Sequence, residues 1–338
     1  MTQESAAPMP ARLEDRFGRV HRDLRVSLTD RCNLRCTYCM PADGLAWMPS
    51  ADLLTAAEIE RVVRIGTELG ITEVRLTGGE PLIRADVVDI VARLAALPRA
   101  PHLSVTTNAL RLSALAGPLA EAGLARVNIS CDTLSPESFA RLTLRDRLGD
   151  VLAGIAAAKA AGLAPIKINT VLMRGVNDHE APALLRWALD EGLSLRFIEQ
   201  MPLDPQHSWN RAMMVTREEI LDALERAGFH LTPRPGRGSA PAEEFVIDGG
   251  PSTLGIVGSV TKPFCDACDR VRLTADGHWR SCLFARAEAD LRTLLRDGSD
   301  DDAVAAEMRG EVARKLRGHG IDEPAFAQPD RPMSAIGG

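Results

Sequence analysis

TAAEIERVVRIGTELGITEVRLTGGEP, residues 55–81, holds one complete structural unit. Thr55 and Glu58 form a capping-box signature, Ile59, Val62, Val63 and Leu69 share one 3.6-period face, and Gly70 supplies a stop. The first half therefore predicts an amphipathic helix, and ITEVRLT (71–77) reads as a strand. The order recurs along the chain. Helices expected over 86–97, 113–122, 150–161 and 180–191 precede strand-like LSVTTN, ARVNISCD, PIKINTVLM and LSLRFIEQM, and DLRVSLTD (23–30) supplies the first of six strands. Alternating strands and helices imply a parallel sheet with right-handed crossovers. Six units are too few to close an eight-unit barrel, which predicts an α/β fold, a partial open (βα)6 TIM-like barrel spanning 1–231.

Composition shifts beyond that point. TPRPGRGSAPAE (232–243) is rich in Pro, Gly and Ser and reads as a linker or mobile loop. Short strand-like pieces follow (EFVID, STLGIV, RVRLTADG, HWRSCLF), then helices expected over 285–297 and 301–318. A smaller C-terminal α+β domain over 232–338 is the natural division.

The 338 residues carry a net charge of −6, which gives no global attraction to nucleic acid or to an anionic membrane. No apolar run suits a signal peptide or a spanning helix, so a cytoplasmic protein is expected, with no nucleic-acid or membrane partner. In a reducing compartment, six of seven cysteines gathered in two clusters suggest metal rather than disulfides.

In a (βα) fold, chemistry sits at the loops following the strands. RCNLRCTYCM (31–40) follows the first strand and places Cys32, Cys36 and Cys39 in one loop. Structural zinc is usually four-coordinate, and His21 lies across a strand as an awkward fourth ligand. A 4Fe-4S cluster held by three thiolates leaves one iron open. KPFCDACDRVRLTADGHWRSCLF (262–284) repeats the shortage: a hairpin would carry Cys282 back beside Cys265 and Cys268. A zinc knuckle, with His278 as fourth ligand, is the alternative there. Arg270, Arg272 and Thr274 are spaced by two on one strand face, suited either to solvent or to phosphate. Arg25 and Lys167 are charges inside apolar strands, which in a barrel points to a polar lumen.

Cys-x3-Cys-x2-Cys with Tyr38 before the last cysteine, followed one strand later by TGGEP (77–81), resembles the radical S-adenosylmethionine superfamily. Two three-cysteine clusters in one chain, with EVRLTGGEPLIRAD, LSVTTNA, NISCDTL, KINTVLMRGVND, FIEQMPL and a terminal Gly337-Gly338, resemble the molybdenum cofactor biosynthesis protein A family, the GTP 3′,8-cyclases. That resemblance implies two 4Fe-4S clusters, on Cys32, Cys36 and Cys39 and on Cys265, Cys268 and Cys282, the second meeting the guanine of GTP. It implies S-adenosylmethionine contacts from Tyr38, Gly79, Glu80, Asn108, Ser130 and Met201. It implies a GTP site of Arg25, Arg75, Thr106, Lys167, Arg270 and Arg272, with Thr274 beside them, and a tail reaching the active site. The implied reaction is reductive cleavage of S-adenosylmethionine, removal of the 3′ hydrogen of GTP and closure of C3′ onto C8, giving 3′,8-cyclo-7,8-dihydro-GTP. No protein acid or base is assigned. An external electron donor and the next enzyme of the pathway, cyclic pyranopterin monophosphate synthase, are the implied partners, and a homodimer is compatible with the sequence. Ala109 stands where the family commonly has glycine, so the turn after Asn108 is expected to differ slightly. A zinc-binding interaction module and a radical peptide-modifying enzyme are the competing readings.

Overall fold

The computed structural model of the chain describes residues 12–324 and 326–337. The six expected strands all form: β1 (Asp23–Ser27), β2 (Glu73–Thr77), β3 (His102–Thr107), β4 (Arg126–Ser130), β5 (Lys167–Val171) and β6 (Ser194–Ile198). Each pairs in parallel with the next. Helices α1 (Ala56–Glu68), α2 (Val87–Ala95), α3 (Leu112–Glu121), α4 (Pro136–Thr143), α5 (Leu148–Ala160), α6 (Ala181–Asp190) and α7 (Arg217–Arg226) intervene or follow. The cap of α1 closes as its sequence requires. Thr55 Oγ1 accepts from the Glu58 N–H at 3.2 Å, Glu58 Oε2 accepts from the Thr55 N–H at 2.7 Å, and Gly70 takes φ +102° beyond the end.

The sequence reading omitted α4 and α7. Both carry written start signals: Ser135 caps α4 with Pro136 at its first position, and Thr216 and Glu219 form a capping box on α7.

The remaining strands are β7 (Leu231–Pro233), β8 (Glu243–Ile247), β9 (Thr253–Val257), β10 (Arg270–Leu273), β11 (His278–Arg280) and β12 (Ala289–Asp290). The expected linker at 232–243 is instead part of an edge hairpin, with Thr232 and Pro233 paired to Val246 and Phe245. Helices α8 (Leu291–Arg296), α9 (Asp301–Ala313) and α10 (Met333–Ile336) complete the chain, so the helix expected over 285–297 starts only at Leu291. Among the described residues the twelve strands form one sheet, in the order β12-β11-β10-β1-β2-β3-β4-β5-β6-β9-β8-β7. β10 runs parallel to β1 and β9 parallel to β6, so C-terminal strands extend the six-stranded sheet at both edges.

Period-two alternation sorts the side chains. Leu24, Val26, Val74, Leu76, Leu103, Val105, Val127, Ile129, Ile168, Leu195 and Phe197 are buried in the hydrophobic core shared with the helices. The alternate positions are polar or charged, apart from Val171 and Ile198 at the ends of β5 and β6, where a parallel sheet covered on both faces would be apolar. The inner face is thus a polar lumen.

Candidate active site

The first cysteine loop leaves the C-terminal end of β1 and folds on its own backbone: the Cys39 and Met40 N–H groups donate to the Cys36 carbonyl at 2.8 and 2.9 Å. It docks on α4, with the Arg35 N–H on Thr143 O at 2.9 Å and the Thr37 N–H on Leu142 O at 2.8 Å. Arg35 Nη1 donates to the carbonyls of Cys32 and Leu34, both at 2.8 Å. Tyr38 Oη donates to Asp132 Oδ2 at 2.8 Å, and Asp132 Oδ1 accepts from the Val171 N–H at 2.8 Å. Asp132, absent from the sequence-derived site, thereby ties this loop to the ends of β4 and β5.

The double glycine after β2 has a steric cause. A Cβ on Gly78 would lie 2.3 Å from Thr29 O, and one on Gly79 would lie 2.2 Å from Arg31 O. The close approach is to the start of the cysteine loop, where the Gly79 N–H donates to Thr29 O at 2.7 Å and the Glu80 N–H to Arg31 O at 2.8 Å. TGGEP and the cysteines are therefore one construction. Glu80 is buried, and its carboxylate accepts from Leu82 N–H (3.0 Å), Thr107 Oγ1 (2.7 Å) and Asn108 N–H (2.7 Å). Burial pushes its carboxyl up to about 7, against the pull of those hydrogen bonds. Asn108 Nδ2 donates to Asn33 Oδ1 at 2.7 Å and approaches Cys32 Sγ at 3.9 Å. Ala109, at φ +64°, occupies the left-handed region that glycine enters freely, at some backbone cost.

Strand register assembles the cations. Arg272 stands beside Arg25 and Arg25 beside Arg75, while Asp23 stands beside Arg270. Lys167 neighbours Asn128, and Asn169 neighbours Arg196. Burial, then repulsion from Arg196, Arg126 and Arg75, pulls Lys167 down to about 8. Burial and then Arg25 press on Arg75, and burial and then Arg126 press on Arg196. Burial would raise Asp23, but Arg25, Arg75 and Arg270 hold it down at about 2. Arg126 and Arg196 belong to this set, and the sequence reading did not single them out. Arg126 is balanced by Glu73 at 2.7 Å. Among the described residues, Thr106 Oγ1, Asn128 Oδ1, Asn169 Oδ1 and the Nε atoms of Arg25, Arg126, Arg270 and Arg272 are buried without a hydrogen-bond partner. The orphaned N–H and O–H donors beside crowded cations suit a polyanionic ligand with its own acceptors, and the two amide oxygens suit a ligand hydroxyl or N–H.

The second triplet lies at the other end of the lumen. Cys268 precedes β10, whereas the first loop follows β1, and the two strands are parallel. β11 returns antiparallel, with Arg280 opposite Arg272, and carries Cys282 back towards Cys268. Cys268 Sγ has Lys315 Nζ at 3.6 Å and Arg270 Nη1 at 3.8 Å. Burial would raise its thiol, but Lys315, Arg270 and Arg272 outweigh burial and lower it. The first triplet is the opposite case. Burial, then Glu80, lifts Cys32 to about 11 against the pull of the Leu34 N–H and Arg35, and burial, then Cys32 and Asp132, lifts Cys39 to about 12.

All seven cysteines are free, and sulfurs within each triplet press on one another: Cys36 is raised by burial, then by Asp132, Cys39 and Cys32, and Cys265 by burial, then by Cys282 and Cys268. Neighbouring sulfurs that press on one another fit a cationic centre that takes them as thiolates. Among the described residues no three His, Cys, Asp or Glu side chains gather closely enough for one metal ion. Zinc gathers its sulfurs at about 2.3 Å on one ion, and a four-iron cubane spreads its thiolates over separate irons. His278 lies against Asp276 and Arg331, at 3.2 Å from each. Thr274 is engaged in its turn, donating to Asp276 Oδ1 at 2.6 Å and accepting from the His278 N–H at 2.8 Å. Ser130 ends β4 and Met201 lies half-buried after β6. Cys131 is buried in the core. In the tail, Arg331 pairs with Asp276 and Glu288, and Gly337 O accepts from Arg272 Nη1 at 3.0 Å. A Cβ on Gly337 would lie 2.7 Å from Thr77 Cγ2, so the tail does reach the TGGEP turn, while Gly338 lies outside the described residues.

Glu199 is structural: buried, it accepts from the N–H groups of Arg217, Val260 and Thr261 and from Thr261 Oγ1.

A partial barrel with a three-cysteine loop on its first strand and a glycine-glutamate turn on its second defines a class. The radical SAM superfamily model matches residues 26–188, and the Molybdenum Cofactor Synthesis C model matches 193–321. The fold agrees with that of Streptococcus suis SuiB, solved with its precursor peptide SuiA (TM-score 0.59, 13% identity, 88% of this chain and 68% of that one). Within that class, the GTP 3′,8-cyclase of Streptomyces coelicolor is 58% identical over 96% of both chains, and GTP 3′,8-cyclase 2 of Mycobacterium tuberculosis is 54% identical over 98% of this chain and 93% of its own. The chain belongs to the GTP 3′,8-cyclase family of radical SAM enzymes.

Proposed function

We propose that this chain cyclises GTP, joining C3′ of the ribose to C8 of guanine to give 3′,8-cyclo-7,8-dihydro-GTP for molybdenum cofactor synthesis. The observation that carries the reading is the cationic lumen stretched between two cysteine triplets. When bound, the first cluster and S-adenosylmethionine supply one-electron cleavage and a hydrogen-abstracting radical. The chain's residues do the rest. Cys32, Cys36 and Cys39 hold the first cluster, and Tyr38, Gly79, Glu80, Asn108, Ser130 and Met201 form the S-adenosylmethionine site, with Glu80 as acceptor for its amine. Cys265, Cys268 and Cys282 hold the second cluster, where the guanine is oriented. Arg25, Arg75, Lys167, Arg270 and Arg272 neutralise the triphosphate, joined by Arg126 and Arg196, and the Thr106 hydroxyl is free to take a sugar or phosphate oxygen. Thr274 acts on this site by shaping the β10–β11 turn. Residues 232–338 form the second-cluster and GTP-binding unit and 1–231 the barrel. An external electron donor, delivery of product to cyclic pyranopterin monophosphate synthase and a cytoplasmic setting complete the reading.

Anaerobic protein given GTP, S-adenosylmethionine and dithionite is expected to form 5′-deoxyadenosine in step with loss of GTP. Arg272→Ala is expected to weaken GTP binding by about ten- to a hundredfold, the worth of a charge-assisted contact, with the iron content retained. Unchanged affinity would remove the lumen assignment.

A further inference from the structure

Lys315 follows α9 and is buried, with Nζ facing three acceptors: Arg270 O at 2.8 Å, His21 Nδ1 at 3.4 Å and Cys268 Sγ at 3.6 Å. An ammonium has three N–H donors and no acceptor, so all three are used. His21 is fully buried, and its Nε2 lies 3.1 Å from Asp15 Oδ2. A carboxylate only accepts, which assigns the proton to Nε2 and leaves the Nδ1 lone pair for Lys315. Asp15 is fixed in turn by Arg19 Nε at 2.6 Å and by the N–H groups of Phe17 (2.9 Å) and Arg19 (3.1 Å). Arg19 Nη1 also donates to Cys265 O at 2.6 Å, so one network grips the backbone of one cysteine and the sulfur of another.

Burying a lysine is costly unless a counter-charge meets it. Among the described residues no carboxylate bonds Lys315, and Asp15 is reached only through His21. With the triplet ligating its cluster as thiolates, the anion in contact is Cys268. The reduction potential of an iron-sulfur cluster responds to net charge and to hydrogen bonds at its sulfurs. We propose that Lys315, oriented by His21 and Asp15, is a positioning residue whose cationic hydrogen bond to Cys268 raises the reduction potential of the C-terminal cluster. This rests on the reading in which Cys265, Cys268 and Cys282 hold that cluster. A donor with positive charge stabilises the reduced, more negative cluster over the oxidised one, and among the described residues no lysine or arginine hydrogen-bonds a sulfur of the first triplet, where Glu80 and Asp132 act on the thiols and Arg35 opposes them at Cys32 without bonding its sulfur.

The test is an EPR-monitored redox titration of the anaerobic full-length protein carrying both clusters, with the C32A/C36A/C39A chain identifying the C-terminal signal. Lys315→Met is expected to keep its iron and shift that signal to lower potential, with the N-terminal cluster's potential unmoved. Full iron with an unmoved potential would overturn the proposal. Should K315M not take up the second cluster, Lys315→Gln and Lys315→Arg decide: a potential lowered in K315Q and restored in K315R supports it, and equal potentials overturn it. A Cys268→Ala chain that keeps its full iron would overturn the cluster assignment itself, and this proposal with it.

Discussion

Glu80 is a carboxylate kept in place by three donors and kept reluctant to ionise by burial, with no cationic side chain bonded to it among the described residues. With its carboxyl near 7, an incoming methionyl amine selects the ionised form. Below that pH, binding must expel a proton, and above it the carboxylate is already present. S-adenosylmethionine affinity is therefore expected to tighten by roughly tenfold per pH unit up to about 7 and then level off. Equilibrium binding from acid to mildly alkaline pH checks this, with Glu80→Gln as comparison, expected to bind weakly with a flat profile. A flat wild-type profile would disconnect Glu80 from the amine.

Elements meet through specific small residues. A Cβ on Gly154 of α5 would lie 2.5 Å from Ala109 O and 3.2 Å from Leu112 Cβ, because α5 packs directly onto the start of α3. Gly154→Ala gains helix propensity but overpacks a backbone carbonyl, so a net loss of about 1–3 kcal/mol is expected in chemical denaturation, and a gain would contradict the packing. The core helices and strands were legible from local period and caps, as in Thr55–Glu58 and Gly70. So were both cysteine triplets, since their spacing is itself local. Missed were α4, whose Ser135-Pro136 start is short and precedes only eight helical residues, and the lumen roles of Arg126 and Arg196. Those two roles depend on which strand faces which, as in Asn169 beside Arg196. The attachment of β9 and β10 to opposite edges of one sheet was equally hidden, because pairing between Arg25 and Arg272 spans most of the chain.

Charge separation organises the whole molecule. The chain carries −6 overall, yet Arg25, Arg75, Arg126, Lys167, Arg196, Arg270 and Arg272 crowd one lumen beside Asp23 and Glu73, so the remaining surface is more acidic than the total suggests. A triphosphate approaching from afar meets an acidic exterior, and only inside does it meet cations that repel one another and outnumber the carboxylates beside them. Long-range repulsion is screened within a Debye length, about 30 Å at 0.01 M salt and about 8 Å at 0.15 M, while buried pairs are screened far less. Added salt should therefore leave the GTP association rate constant unchanged or raise it, and should accelerate dissociation only slightly. Stopped-flow binding at about 0.02 and 0.2 M salt separates the two rates, a range over which the Debye length falls about threefold. A tenfold fall in association over that range would mean that an external basic funnel steers the nucleotide. That outcome would move the source of affinity from the lumen strands to the surface.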